Sequence, residues 1–328
     1  MMLDKKDCRI LAELDLNARA SFQEIGKKVG LSKETTINRV KNLEKREIIK
    51  RYTTLVNFGK LGYTGYVVYN RFQNVTEKKK QEIISYLSDI PDLYWVAIVG
   101  GRFDLAFGLM CQNIVQFNKI YYNIITMFGE YLVDNTIGIR AELRQHKRDY
   151  LISHKPTSFK PPFFGGEQDI EILDDLDKKI LSYMSNNARI SVVELSVKLK
   201  KPASTIAFRI KQLEQKEVIQ GYSTYIKAQN YGMQSYRLLL YLHNMNEKQR
   251  NKIFSYTNYN PKTILAIENV GQWNFEITLE VENHEELQKE MEKLRNNFTD
   301  IIKNVEFLIM FEDDLVYDPY PLLKRERK

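Results

Sequence analysis

The sequence predicts an α+β protein in which a winged helix-turn-helix and a ferredoxin-like βαββαβ domain form a pair that occurs twice. Three observations lead there: a repeat at fixed spacing, helical periodicity at the start of each repeat, and alternation of strand and helix patterns after it. A shift of 170 positions aligns Leu3–Gly62 with Leu173–Gly232 at 21 identities in 60 positions without a gap. NARASFQE, residues 17–24, returns as NARISVVE at 187–194, and GRFDL at 101–105 falls on GQWNF at 271–275. Self-similarity at one period marks a duplicated structural unit.

Each unit opens with three helical patterns. Ile10, Leu11 and Leu14 form one apolar stripe. Ser21 with Glu24 three residues on has the form of a capping box, which Ser191 and Glu194 repeat, and Ile25 and Val29 supply the second stripe. After Gly30 and Leu31 a third helix starts at Ser32, with Thr36, Val40 and Leu43 facing inward. So short a turn sets the last two helices at an angle, as in a helix-turn-helix. EIIKRYTTLVNF, residues 47–58, is a β-branched and aromatic run of hairpin or wing character.

The second half of each unit reads as strand, helix, strand, strand, helix, strand. In unit one these are YTGYVVYNRF, TEKKKQEIISYLSDI, LYWVAIVG, DLAFGLMC, NIVQFNKIYYNIITMF and VDNTIGIRAEL; unit two repeats the order from YRLLLYLHN to NVEFLIMFE. A split βαβ sheet carries both helices on one face and leaves the other bare. Alternating Leu238, Leu240 and Leu242 mark the surface expected to pair with another sheet. The expected domains are residues 1–60 and 171–230 for the helix-turn-helix units, and 61–152 and 231–328 for the ferredoxin-like ones. Residues 153–170, with three prolines and two adjacent glycines, read as a linker whose Phe159, Phe163 and Phe164 dock on a neighbour.

Composition narrows the function. The chain of 328 residues is 43% hydrophobic, with no run of eighteen apolar residues, and its first ten residues are charged where a signal peptide needs an apolar core. A cytoplasmic location is expected, with no membrane partner. Cys8 and Cys111 stand far apart, and the four histidines lack HxxxH or HExxH spacing, so neither a disulfide framework nor a metal site is expected, and no cofactor. Charge is segregated: residues 1–60 hold 14 Lys and Arg against 8 Asp and Glu, a net of +6, and residues 171–230 hold 10 against 7, a net of +3. Residues 231–318 hold 9 against 15, a net of −6. Positive charge gathered at the start of each repeat points to an anionic partner for those segments, double-stranded DNA.

If the third helix enters a major groove, unit one presents Lys33, Glu34, Thr35, Asn38, Arg39, Lys41, Asn42 and Lys45. Arg39 and Asn38 have the donors and acceptors for bidentate contact with guanine or adenine edges, and Lys33, Lys41 and Lys45 suit phosphates. A solvated amphipathic face carries the same residue types. Unit two keeps Thr205, Arg209 and Lys211, but has Ala203, Ser204, Phe208 and Gln212 where unit one has Lys33, Glu34, Asn38 and Asn42. Phe208 either touches a thymine methyl or packs against protein.

The pattern Leu3, Asp4, Asp7, Ile10, Leu11; Asn17, Ala18, Arg19; Ser21, Glu24; Thr35, Arg39, Val40, Leu43, Glu44; Glu47, Ile48, Ile49 resembles the Lrp/AsnC family of transcriptional regulators. Unit two matches it again at Asp177, Ile180, Leu181, Asn187, Ala188, Arg189, Thr205, Arg209, Ile210, Leu213 and Glu214. The resemblance implies a winged helix-turn-helix followed by a ferredoxin-like effector domain that pairs sheets to dimerise and commonly binds an amino acid between subunits. Its G-x-F-D signature falls on Gly101, Phe103 and Asp104, and in unit two on Gly271, Trp273 and Asn274, which makes Gly101, Asp104, Gly271 and Asn274 the implied effector residues. A Gly and Asp between strands also serve simply as a tight turn. The fusion departs from the family, whose usual chain has one unit; a covalent pseudo-dimer that associates further is the expected assembly. Two other classes stay open. Siroheme decarboxylases look like Lrp/AsnC proteins and are enzymes, but their histidine-bearing stretch is missing from YWVAIVGGRFDLAFGL and LAIENVGQWNFEITLEV. A sensor whose helix-turn-helix modules bind protein is the other.

Overall fold

A computed structural model describes residues 3–152, 160–167, 169–318 and 320–321. Unit one begins with α1 (Lys5–Leu16), α2 (Phe22–Val29) and α3 (Lys33–Lys45). Asp4 caps α1, accepting the Lys6 and Asp7 N–H groups at 2.8 Å each. Ser21 and Glu24 form the reciprocal capping box, Gly30 turns the chain at a left-handed φ of 72°, and Ser32 caps α3. Ile10, Leu11, Leu14, Ile25, Val29, Val40 and Leu43 are buried together, as their spacing requires. Unit two repeats this with α6 (Asp175–Ser185), α7 (Val192–Leu199) and α8 (Ala203–Gln215). There Ser191 accepts the Glu194 N–H at 3.0 Å, and Pro202 stands at the cap of α8 without a side-chain bond.

The run after each third helix is not a local hairpin. β1 (Ile49–Val56) pairs antiparallel with β7 (Ile219–Ile226) of the other unit, so the two helix-turn-helix units share one two-stranded ribbon. Each run is long enough for a single strand only, and its partner comes from the repeat. Around this ribbon the duplicated NAR turns interlock. The Ala18 N–H donates to Tyr222 O and the Ala188 N–H to Tyr52 O, at 3.0 and 2.9 Å. Arg19 Nη1 donates to the carbonyls of Ala188 and Ile190, and Arg189 Nη1 to those of Ala18 and Ala20. Both guanidiniums lie over rings, Arg19 over Tyr222 and Arg189 over Phe22 and Tyr52. Each arginine thus closes the other unit's turn.

The ferredoxin-like half of unit one comprises β2 (Thr64–Phe72), α4 (Glu77–Ser88), β3 (Leu93–Gly100), β4 (Leu105–Cys111), α5 (Ile114–Phe128) and β5 (Leu132–Gln145). Unit two supplies β8 (Gln234–Leu242), α9 (Glu247–Tyr259), β9 (Thr263–Val270), β10 (Phe275–Val281), α10 (His284–Asn297) and β11 (Ile302–Tyr317). The sheets face each other and also bond edge to edge, because β3 pairs with β11 and β5 with β9. With β5 on β2 as well, eight strands close into a ring, β5-β2-β4-β3-β11-β8-β10-β9, with the four helices outside.

Alternation along the strands separates an inner core from two outer ones. Val67 and Tyr69 point inward with Trp95, Leu239 and Trp273, while Tyr66 and Val68 pack under α4 and α5. Leu238, Leu240 and Leu242 pack under α9 and α10, not against the other sheet, which corrects the face assigned from the sequence. Period-two patterns fix that alternate residues share a face but not which face, and one step of register exchanges them. The bare face is carried by Arg237 and Leu239. In the connection, β6 (Phe163–Gly165) adds to β5, and Phe164 stacks on Phe58 with centroids 6.4 Å apart. Phe159 lies outside the described residues.

One buried bridge ties the layers. Arg148, just past β5, bonds Asp15 at the end of α1 and both carboxylate oxygens of Glu280 on β10, each at 2.9 Å. No described helix is long and apolar enough to cross a membrane.

Two outcomes follow. Arg189→Ala removes charge-assisted bonds across the ribbon and is expected to lower stability by about 1–3 kcal/mol in denaturant titration. His146, 6% exposed, is held neutral by burial and by Arg144, with its pKa lowered from 6.5 to about 4. Folding therefore releases a proton below pH 6.5, and this histidine's contribution is complete above that value and lost as pH falls toward 4. Stability should drop by up to about 3 kcal/mol over that window, and His146→Leu should flatten the drop.

Candidate nucleic-acid interface

The helix-turn-helix geometry leaves one face of α3 to solvent. Lys33, Glu34, Thr35, Asn38, Lys41, Asn42 and Lys45 are exposed there, opposite buried Thr36, Val40 and Leu43. On α8 the matching face carries Ser204, Phe208 and Lys211 exposed and Thr205 and Gln212 half-buried, opposite Ile206, Ile210 and Leu213. Phe208 is 59% exposed and packs against no core cluster. The residues that sequence periodicity groups together thus lie on one face in each unit.

Arg39 and Arg209 differ from their neighbours. Arg39 Nη1 bonds Asp4 at 2.7 Å and Asp7 at 2.8 Å, clamping α3 to the start of α1. Arg209 Nη1 repeats the clamp with Asp174 at 2.8 Å and Asp177 at 3.3 Å. The Asp7 N–H, followed by Arg39, holds the Asp4 carboxyl below its ordinary value. The bidentate base contact expected of Arg39, and the DNA contact expected of Arg209, compete with these carboxylates. The first role of both arginines is therefore to set the angle of the third helix.

The turns expected to hold an effector are likewise engaged. Asp104 Oδ2 accepts the Phe72 N–H at 2.9 Å, and Asn274 Oδ1 accepts the Leu242 N–H at 2.8 Å. An amide replaces the carboxylate without loss because both simply cap the end of the first strand of their sheet. Gly101 is demanded by its turn, at a φ of 114°, and Gly271 by the close approach of β5 from the other unit, since a Cβ there would lie 2.9 Å from Ile137 O. The two turns meet, since Arg102 Nη2 donates to Gln272 at 3.0 Å and Nη1 to the Tyr241 hydroxyl at 2.8 Å.

The sequence reading missed a polar group inside the ring of strands. Arg140, Arg237 and Glu276 are buried between the sheets beside both tryptophans. Their signal was present: aligning the repeats sets Arg237 on Val67, Glu276 on Ala106 and Arg140 on Met310, charges where the other copy has apolar residues.

Comparison with known proteins agrees with this geometry. The AsnC-type helix-turn-helix domain model matches residues 3–44, and a winged helix-turn-helix DNA-binding model matches residues 173–220. An uncharacterised HTH-type transcriptional regulator of Pyrococcus abyssi is 31% identical over 121 residues, 36% of this chain and 80% of that protein. The HTH-type transcriptional regulator Ptr1 of Methanocaldococcus jannaschii is 30% identical over 118 residues, 36% of this chain and 78% of its own. Among solved structures, the siroheme decarboxylase NirDL superposes with a TM-score of 0.60 at 12% identity, covering 98% of each chain. At that identity the likeness is one of fold.

The clamp gives a direct test. Arg39→Ala and Arg209→Ala should each destabilise their own unit, by about 1–2 kcal/mol for a partly exposed two-carboxylate pair, and by similar amounts. Thermal unfolding of the two single variants measures it.

Proposed function

The chain belongs to the Lrp/AsnC family of transcriptional regulators, and from that premise we propose that it binds DNA as a covalent pseudo-dimer that reads two unlike half-sites. The observation that carries this reading is the divergence of two otherwise equivalent exposed faces. Asn38 corresponds to Phe208, Lys33 to Ala203 and Glu34 to Ser204, while the clamp arginines and their aspartates are the same in both units. A homodimer mirrors its two-fold axis in a palindromic site; two different helices on one chain have no such constraint. Lys33, Lys41 and Lys45 serve phosphates, and Thr35, Asn38 and Asn42 serve base edges, with Ser204, Thr205, Phe208, Lys211 and Gln212 doing the corresponding work in unit two. Unit one supplies more of the affinity, because its segment carries a net +6 against +3.

Further association of chains fits the asymmetry of the outer helices. α5 exposes Val115 at 74%, Tyr122 at 69% and Met127 at 58%, whereas α10 turns charged residues outward. Regulation by a small metabolite fits the family, but at the turns of Gly101, Asp104, Gly271 and Asn274 one side-chain oxygen each of Asp104 and Asn274 is committed to backbone. A decarboxylase reading draws on the full-length fold likeness alone; the strands equivalent between the units bring no histidine to the inner face.

Selection of bound fragments from random duplex DNA tests the central reading: an asymmetric site supports it, and a perfect palindrome overturns it. Affinity for the selected site should fall steeply with salt, and Lys41→Ala should reduce the logarithmic slope by about 1 while leaving sequence preference intact. A slope unchanged by Lys41→Ala would remove that residue from the phosphate contacts.

A further inference from the structure

Between the ring of strands and the shared ribbon lies a cavity of about 160 Å³ whose wall includes Tyr94, Trp95, Arg140 and Arg237. Its inner end is unevenly charged. Arg140 Nη2 and Arg237 Nη1 share one carboxylate oxygen of Glu276, at 3.4 and 3.5 Å, longer than the roughly 2.7–2.9 Å of a well-made ion pair. The other Glu276 oxygen accepts from Trp273 Nε1 at 3.2 Å. Two guanidiniums therefore face one carboxylate, with a positive charge in excess and loose geometry. Arg140 is 5% exposed and its Nε has no partner, and the buried Tyr94 hydroxyl has none either. A buried donor without a partner costs free energy that a ligand can recover.

The outer end behaves oppositely. Arg148 meets Asp15 and Glu280 in three bonds of 2.9 Å, and the Arg148 N–H adds a fourth to Asp15 at 2.8 Å, so those carboxylates are fully served. Among the described wall residues the donors without a partner are Arg140 Nε and the Tyr94 hydroxyl; Arg237 also donates to Thr278 at 3.2 Å and Tyr69 at 3.4 Å, and the one further carboxylate, Asp313, accepts from the Tyr225 hydroxyl. The rest of the wall is largely apolar, with Leu55, Phe58, Leu143 and Phe164 among it.

Symmetry strengthens the point. Replacing a buried ionic cluster by apolar residues of similar size is often neutral or stabilising, so packing does not require one. Each of these charges faces an apolar residue in the other repeat: Arg140 matches Met310, Arg237 matches Val67, Glu276 matches Ala106. Gly108 matches Thr278, and only a glycine leaves room there, since a Cβ would lie 2.4 Å from the Tyr94 ring.

We propose that this cavity is a binding site for one small organic carboxylate with an apolar body, its carboxylate held by Arg140, Arg237 and the Tyr94 hydroxyl against Trp95. Burial raises the Tyr94 pKa, which keeps the phenol a donor. The volume lies below the roughly 300–1,000 Å³ of sites for drug-sized ligands, which limits the ligand to a compact molecule. This assignment concerns the site and its ligand class and does not depend on DNA binding.

The chain's only two tryptophans, Trp95 and Trp273, both touch the cluster, so their emission reports occupancy. Titrate the full-length protein, without DNA, with isovalerate, phenylacetate and 4-methyl-2-oxopentanoate, each beside its carboxamide, by tryptophan emission and calorimetry. Saturable binding of at least one acid, with its amide about tenfold weaker or more, is the expected result. Arg140→Met, which installs the residue found at the matching position and leaves Arg237 and Glu276 as a one-to-one pair, should weaken binding about tenfold or more. Tyr94→Phe removes one oxygen from an otherwise unchanged ring and should weaken it several-fold; it keeps the test decisive if Arg140→Met fails to fold. No saturable binding by any acid, equal binding of acid and amide, or unchanged affinity in a folded variant overturns the proposal.

Discussion

The closure of the strand ring is the constraint on which the rest of the architecture hangs. A four-stranded ferredoxin-like sheet has two edges, each a row of unpaired backbone donors and acceptors that invites unwanted pairing. Here β3 takes β11 and β9 takes β5, so four edges cancel and no rotation of one sheet against the other remains. That fixed relation brings β1 alongside β7, and the ribbon in turn brings each NAR turn to the other unit's backbone. Arg148 then joins the two levels through Asp15 and Glu280. Position of the third helices thus follows, step by step, from hydrogen bonds made at the opposite end of the molecule.

Fusion of two units into one chain changes what such a closed interior can contain. In a symmetric dimer every residue near the axis meets its own copy, so an interior arginine arrives as two arginines and a carboxylate as two carboxylates. A duplicated chain is free of this rule. Glu276 occurs once between Arg140 and Arg237, with Ala106 at the matching position, and Tyr94 lies over Gly108 on one side only. The same freedom operates outside, where Phe208 replaces Asn38 on an exposed helix face.

Much of this was legible in the residues, and what was not has physical reasons. Helix starts at Ser21, Ser32 and Ser191 could be read because a cap is a local device, set by a few neighbouring atoms. The order of strands and helices could be read from periodicity. The inward face of β8 could not, since Leu238 and Leu239 are both apolar and differ only in which way the strand is turned. The partner of β1 is 170 residues away and has no local signature, so its strand read as half of a hairpin. Arg39 read as a base reader because outward position on a helix was visible and the aspartates waiting at the start of α1 were not. Arg140 and Glu276 were overlooked as ordinary charged residues on strands, although the opposite repeat showed that their positions face a core.

Comparison of the two repeats separates framework from function more sharply than residue type does. Several side chains that are identical in both copies hold the chain to itself: Asp4 and Asp174 with Arg39 and Arg209, Glu44 and Glu214 with Tyr52 and Tyr222, and Arg19 and Arg189 across the ribbon. These contacts are made twice because the fold needs them twice, and any change in one copy would strain the geometry shared with the other. Side chains that differ while sitting in equivalent places face solvent on α3 and α8 or face the cavity within the ring. Some of these differences still serve the frame, as Arg148 with Asp15 and Glu280 does, but the exposed faces of α3 and α8 and the loosely paired Arg140, Arg237 and Glu276 make no such tie. Unequal residues at equal positions are therefore where contacts with other molecules should be sought, on the helix faces for an extended anion and inside the ring for a compact one.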